Sequence, residues 1–300
     1  MKTQKIDKTL INRLIQKRRP GSHKGDYGNI LILAGSKGMT GAAVLSANAC
    51  VRSGAGLVTL GIPENQQPAA AKRTLPEIMT LPLKETKDGT LSLNALNSIL
   101  NFIGKHKITT LAVGPGLTTN FSTQKLVIEI LKRVALPVVI DADGLNALNG
   151  KTKSLKESAA EIIITPHPGE LTRLTRLSMN IIQSKRAENT LKFAKENKVI
   201  CVLKGNKTVV SDGKKVFINS TGNPGMAKGG SGDVLTGILA AFIFQVAGTT
   251  SKEKLLNAGI VSVYVHGLAG DLAAKEKTQI AMTPSDIIEN IPKALKRTLN

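Results

Sequence analysis

The residues best placed to do chemistry are Asn223-Pro224-Gly225-Met226-Ala227-Lys228-Gly229-Gly230-Ser231-Gly232-Asp233, which lead straight into the apolar segment Val234 to Phe242. A glycine-dense loop entering a helix is an anion site by construction. The first-turn N–H groups have no intrahelical partner, the helix dipole adds partial positive charge, and glycines let a phosphate approach the backbone. Asp233 stands beside that site, where a carboxylate repels phosphate. It therefore either caps the helix or takes a proton from a group attacking the phosphate.

Other clusters carry a similar choice. Gly114-Pro115-Gly116 is a sharp turn that either touches ligand or only reverses the chain. In His167-Pro168-Gly169-Glu170, Pro168 suits a first helical position and Glu170 suits the positive end of the dipole, so His167 is a helix-entry residue or a functional one. Asp141 and Asp143 read as a turn and a cap, or as a route to a metal. Lys204 follows an apolar strand and either snorkels or meets a phosphate. Gly35 to Gly41 follows a strand but is neither GxGxxG nor GxxxxGK[ST], which argues against a dinucleotide-binding dehydrogenase and a P-loop enzyme.

These residues are separated by elements that alternate. Residues 1 to 20 predict a helix ending at Pro20-Gly21. Strands are expected at Ile30 to Gly35, Leu57 to Ile62, Thr110 to Gly114, Val138 to Asp141, Ile162 to Thr165 and Val199 to Leu203, each with the apolar continuity of a strand buried on both faces. Helices are expected at Ala42 to Arg52, Leu93 to Ile103, Thr123 to Val134, Ser184 to Lys195, Leu255 to Lys275 and Ser285 to Leu299. Asp212-Gly213 lies between two β-branched runs and predicts a hairpin. Residues 63 to 90 hold four prolines and no clear period, with a short strand at Ile78 to Leu83. The alternation predicts one three-layer, doubly wound, mostly parallel α/β domain over residues 1–300. In such sheets, loops at the carboxyl ends of strands form the ligand crevice, and the glycine and proline loops above sit at those ends.

Composition narrows the class. With 300 residues and 41% hydrophobic content, the chain has ample material for a core. Cys50 and Cys201 have no CxxC spacing and read as buried, reduced thiols. No stretch approaches a membrane span and no signal region opens the sequence, so a cytoplasmic protein is expected. A net charge of +20 could signal nucleic acid, but the lysines are scattered and aromatic residues are 3% of the chain, so no specific nucleic acid is expected.

Gly230-Ser231-Gly232-Asp233 before an apolar helix resembles the GxGD signature of ribokinase-like proteins. Within that superfamily the chain resembles the NAD(P)H-hydrate dehydratase family, through His23 to Gly28, Ala34-Gly35-Ser36 with Gly41-Ala42-Ala43, Gly114 to Gly116, Thr165 to Glu170, Lys204 to Thr208 and Asn223 to Asp233. The resemblance implies a ribokinase-like fold and nucleotide-dependent dehydration of the S form of NADHX or NADPHX, with ADP or ATP as co-substrate and Mg2+ bridging its phosphates. It implies that Ala42 or Ala43, Gly116, His167 and Asp233 contact the hydrated cofactor, with Asp233 as catalytic base. Lys204, Gly205, Asn206, Lys207, Thr208 and Gly232 would hold the nucleotide, and the amides of Gly229, Gly230, Ser231 and Gly232 would receive the transferred phosphoryl. Glu170 becomes an outer-sphere metal residue. ADP is the favoured donor, and a homo-oligomer, a tetramer by resemblance, is expected. Many family members carry a fused epimerase; with a first strand near residue 30, a stand-alone dehydratase working beside a separate epimerase is expected. The competing readings are a vitamin-precursor kinase of the same superfamily and a non-catalytic nucleotide- or nucleic-acid-binding relative.

Overall fold

In the computed structural model, which describes residues 3–299, ten strands form one sheet in the order β1-β10-β9-β8-β7-β6-β5-β2-β3-β4. They are β1 (Thr3–Lys5), β2 (Asn29–Leu33), β3 (Leu57–Pro63), β4 (Met79–Leu83), β5 (Thr110–Val113), β6 (Val138–Ile140), β7 (Ile162–Ile164), β8 (Ile200–Leu203), β9 (Val209–Ser211) and β10 (Val216–Ile218). Pairing is parallel from β4 through β8, antiparallel at β8–β9 and β9–β10, and parallel again where β1 joins β10.

The continuous apolar runs have the expected reason. Ile30 and Ile32 of β2 enter one core, while Leu31 and Leu33 enter the other. Successive strand side chains point to opposite faces, so a strand covered on both sides has no polar position to offer. Each such side chain contributes roughly 1.5–3 kcal/mol of transfer free energy when fully buried.

One face is covered by α1 (Lys8–Leu14), α2 (Thr40–Arg52) and α3 (Gln67–Ala71). The other is covered by α4 (Leu96–Lys105), α5 (Phe121–Leu131), α6 (Asp143–Asn146), α7 (Lys153–Glu157), α8 (Pro168–Thr175), α9 (Met179–Ser184) and α10 (Arg186–Asn197). The chain then returns to the first face with α11 (Ser231–Phe242), α12 (Ser251–Ala281) and α13 (Pro284–Leu299). This is the doubly wound, mostly parallel architecture that the alternation predicts. The winding reverses between β2 and β5, and there Gly35 N–H donates to Pro115 O at 2.8 Å and Ser36 Oγ to Gly116 O at 2.8 Å. A crevice at the carboxyl ends of these two strands follows from the reversal.

Two expectations need correction. The helix predicted over residues 1–20 is a strand, Thr3–Lys5, followed by a helix only over Lys8–Leu14, while Met1 and Lys2 lie outside the described residues. Asp7 caps that helix by accepting Leu10 N–H at 2.8 Å, so a helix cannot run through it, and the residues before it find a sheet edge instead. Second, α12 contains an 18-residue window with mean hydropathy 1.2, enough by length and composition for a membrane span, which the sequence reading denied. That window is 78% buried within the fold, so it is a core helix. Inside the same element, Thr278 has φ 69° and breaks the helical path.

Candidate active site

The glycine loop and α11 meet at Gly230, whose φ of 99° as N-cap is a conformation glycine adopts without penalty. Ser231 N–H turns back to Lys228 O at 3.2 Å, and Val234 N–H takes Gly230 O at 3.1 Å. The amides of Gly229, Gly230, Gly232 and Asp233 have no backbone acceptor among the described residues. The expectation that all four amides from Gly229 to Gly232 serve an anion therefore loses Ser231. Its N–H closes the turn, and its Oγ lies 3.4 Å from His266 Nε2. The free donor of that first turn is instead Asp233's own N–H.

Helix α2 fixes the loop from the side. Ser46 Oγ donates to Asp233 O at 3.0 Å, and a Cβ at Gly237 would collide with Ser46 O, so α2 and α11 touch backbone to backbone. That approach carries Ala42 to the crevice, where its Cβ is 3.1 Å from the position a Cβ on Gly116 would take. Ala43 is a different case. It has no exposed surface and packs against Gly35, so of the two alanines only Ala42 can reach a ligand.

Beneath Gly232 lies a charged floor. Lys204, at the end of β8, donates from Nζ to Asp141 Oδ1 at 2.5 Å and approaches Glu170 Oε2 at 3.7 Å. Thr236, one turn into α11, donates to Asp141 Oδ2 at 2.8 Å. Asp141 is 1% exposed and Glu170 5%. Burial pulls the Lys204 ammonium toward neutrality, but the Asp141 and Glu170 carboxylates more than reverse this, and its pKa ends above the ordinary lysine value. Lys204 is therefore tied to the two carboxylates while its side chain keeps 18% of its surface open to the crevice. Asp141, which sequence reasoning left as a turn residue or a route to metal, is the hub of the floor.

Asp233 overlooks it. Burial, then the Asp141 charge, push its carboxyl up from 3.8 to about 6, against the pull of Lys204. A base with that pKa is ionised at neutral pH yet more basic than an ordinary aspartate. His167 closes the other side. Its Nδ1 accepts the N–H groups of Gly169 and Glu170 at 3.0 and 3.3 Å, while Glu170 Oε2 accepts His167 N–H at 2.7 Å. This reciprocal capping box leaves the ring proton on Nε2. Burial and the neighbouring Lys204 and Arg173 cations lower the imidazole pKa, so the half-exposed ring is a neutral donor at pH 7. Burial raises the Glu170 carboxyl despite Lys204.

The loop after β8 projects outward: Gly205, Asn206 and Lys207 are exposed, and Thr208 Oγ1 closes it on Gly205 O at 2.9 Å. Arg186, absent from the sequence reading, braces its base by donating to Leu203 O and Lys204 O at 3.1 Å each. Nothing local marks it, since it lies in a helix of ordinary amphipathic pattern. Beside Gly229, a cleft of ≈ 440 Å³ opens between α2 and the start of α13, with Arg52 and Arg73 among its walls. No group of three or more His, Cys, Asp or Glu side chains fit to hold a metal occurs among the described residues.

Comparison with known proteins identifies the family. The family model described as NAD(P)H-hydrate dehydratase matches residues 30–293. The bifunctional NAD(P)H-hydrate repair enzyme of Moorella thermoacetica is 43% identical over 284 residues, covering 94% of this chain and 52% of that enzyme. The chain thus spans about half the length of the bifunctional relatives it matches. The ADP-dependent (S)-NAD(P)H-hydrate dehydratase of Bacillus subtilis is 34% identical over 96% of both chains. The crystal structure of the ADP/ATP-dependent enzyme from that organism, co-crystallized with ATP and Mg2+, superposes with a TM-score of 0.85 at 31% identity over 99% of both chains. A hydroxyethylthiazole kinase from Pyrococcus horikoshii, at 15% identity and a TM-score of 0.59, shares the fold alone. On the match across residues 30–293 and these full-length likenesses, the chain belongs to the NAD(P)H-hydrate dehydratase family.

Proposed function

We propose that this chain, as one ribokinase-like domain, restores NADH or NADPH from the S form of the hydrated cofactor in a nucleotide-dependent dehydration, with ADP as donor and AMP and phosphate as products. The observation that carries the reading is Asp233, a carboxylate in the first turn of α11 directly after the unpaired amide of Gly232. A relative that matches along 96% of both chains is named an ADP-dependent (S)-NAD(P)H-hydrate dehydratase.

Hydroxide is a poor leaving group and phosphate a good one, so the ring hydroxyl is phosphorylated before it departs. Ala42, Gly116 and the Nε2–H of His167 hold the hydrated ring, and Asp233 orients its hydroxyl and accepts the proton as oxygen attacks the terminal phosphoryl. The amides of Gly229, Gly230, Gly232 and Asp233 take up charge on the transferred group. The enamine nitrogen of the ring then expels phosphate as the C–O bond breaks, leaving an iminium, and the adjacent ring carbon gives up its proton to the departing phosphate as the ring double bond forms. Lys204, Gly205, Asn206, Lys207 and Thr208 hold the nucleotide, Lys204 from beside Gly232. The cleft beside Gly229 is of a size to receive the rest of a dinucleotide.

Magnesium fits as an ion that arrives with nucleotide phosphates and keeps its waters, since the described residues build no protein cage. Bound there, it would neutralise phosphate charge. Glu170, engaged by His167 and Lys204, would meet such an ion only through water. The reading includes a homo-oligomer, a cytoplasmic location and a separate epimerase supplying the S form.

The test is absorbance at 340 nm with magnesium, hydrated NADH and ADP or ATP. A nucleotide-dependent rise, absent in Asp233→Asn, is expected, faster with ADP. Folded protein giving no rise with either nucleotide would sink the reading and turn attention to vitamin-type hydroxyl acceptors.

A further inference from the structure

The active-site loop does not hold its own shape. Between Asn219 and Ser231 its one regular element is the turn Pro224–Met226. Residues 219 to 226 lean mainly on one face of α12, while Lys228 Nζ donates to Ile280 O and Met282 O at 2.6 Å each, beyond the break at Thr278. Asn219 Nδ2 donates to Val263 O at 2.9 Å and Thr221 Oγ1 to Tyr264 O at 3.0 Å. Further along that face, a side chain on Gly267 would collide with Thr221 and one on Gly270 with Met226, so the loop lies directly on the helix backbone. Asp271 then receives two donors: Gly222 N–H on Oδ2 at 3.0 Å and Asn223 Nδ2 on Oδ1 at 3.0 Å. The other end of the Asn223 amide accepts Gly225 N–H at 3.0 Å. Positions 263, 267, 270 and 271 share a helix face by their spacings of three and four, so one helix face moulds the loop from Asn219 to Met226, upstream of the glycines.

We propose that Asp271 is a positioning residue of the phosphoryl-transfer site, acting through Asn223 to fix the loop that ends in the Gly232 and Asp233 amides. Its effect on turnover rests on the dehydratase reading; its effect on loop order does not. The chemistry asks for a carboxylate. Both groups facing Asp271 are N–H donors, and an ionised carboxylate presents acceptors to both, whereas an amide offers one acceptor and one opposing donor. Asp271→Asn thus leaves one donor facing another, and Asn223→Asp sets two carboxylates face to face. The exchanged pair, Asn223→Asp with Asp271→Asn, restores all three hydrogen bonds: the side-chain pair reverses its roles, and the N–H groups of Gly222 and Gly225 still each find an acceptor oxygen.

The experiment measures amide hydrogen exchange over residues 219–233 and melting temperature in the unliganded protein, with nucleotide-dependent turnover of hydrated NADH on the same samples. Each single variant should speed exchange in this segment and lower kcat about tenfold or more while KM for nucleotide moves less than about threefold; the exchanged pair should recover both to within about threefold of the parent protein. Asn223→Ala removes the bridge without an opposed pair and covers the case in which a single variant fails to fold; it too should exchange faster. Unchanged exchange in both Asp271→Asn and Asn223→Ala would overturn the proposal, as would an exchanged pair no better than the worse single variant. If the parent protein shows no turnover, the dehydratase reading fails, and the exchange measurements alone decide the role of Asp271.

Discussion

The turn at Gly229–Asp233 and the floor of Asp141, Glu170, Lys204 and Thr236 lie within one side chain of each other and are built in opposite ways. The turn is backbone, with the N–H groups of Gly229, Gly230, Gly232 and Asp233 lacking a backbone acceptor among the described residues. The floor is side chain, buried, with its ammonium and carboxylates paired to each other. Unpaired donors bind what comes from outside, whereas a self-paired cluster holds position and sets the field. The one titratable group between them, Asp233, inherits properties from both. It stands in the helix first turn, where the dipole favours its ionised form, and above a floor whose burial and Asp141 charge oppose ionisation.

That contrast can be broken first at Asp233. Asp233→Asn should lower kcat by about 10²- to 10⁴-fold with nucleotide affinity nearly unchanged, measured by steady-state turnover and calorimetric titration. The largest effect in the floor should be on stability instead. Lys204→Met leaves Asp141 and Glu170 without their cation and should cost about 3–5 kcal/mol in urea unfolding, because an unpaired buried charge is worse than no charge. An equally stable Lys204→Met protein would show that the floor is not a self-paired unit.

Asp233 also predicts a pH signature. Its folded pKa, about 6, lies above its ordinary 3.8, so the folded state binds more protons between those values and stability from this group falls as pH rises through that window. Asp233→Asn should therefore be more stable than the parent at pH 7 to 8 by about 3 kcal/mol, with no gain at pH 3. Turnover of the parent should fall below pH 6 as the base is protonated. The smallest effect should come from Thr236→Val, which removes one hydrogen bond to Asp141 and should cost about 1 kcal/mol with kcat within a few-fold.

Much of this was legible in the sequence because local chemistry marked it. Apolar runs ending in glycine or proline, such as Ile30 to Gly35 and Leu111 to Gly116, show both the strand and the loop at its carboxyl end. The capping box at His167 and Glu170 needs only a three-residue spacing. What local pattern cannot carry is long-range pairing. Lys204 and Asp141 are 63 positions apart, and neither neighbourhood says that the lysine turns inward. Choosing between Ala42 and Ala43 depends on which face of α2 meets α11. Asp271 is a lone acid in an apolar stretch of helix, and its role appears only once the loop is seen lying on it. Strand β1 has the same origin: three exposed residues acquire their conformation from the partner that reaches them.

That partner sets a timetable. Lys5 pairs with Ile218, so the second residue set arrives about 210 positions after the first, and at ribosomal rates of about 5–20 residues per second the waiting time is roughly 10 to 40 s. During synthesis the first strand has no edge to join, while β2 and β3 can already form the start of the sheet. Its docking is therefore a late event, one that registers the arrival of the hairpin from which the chain runs on into the catalytic loop.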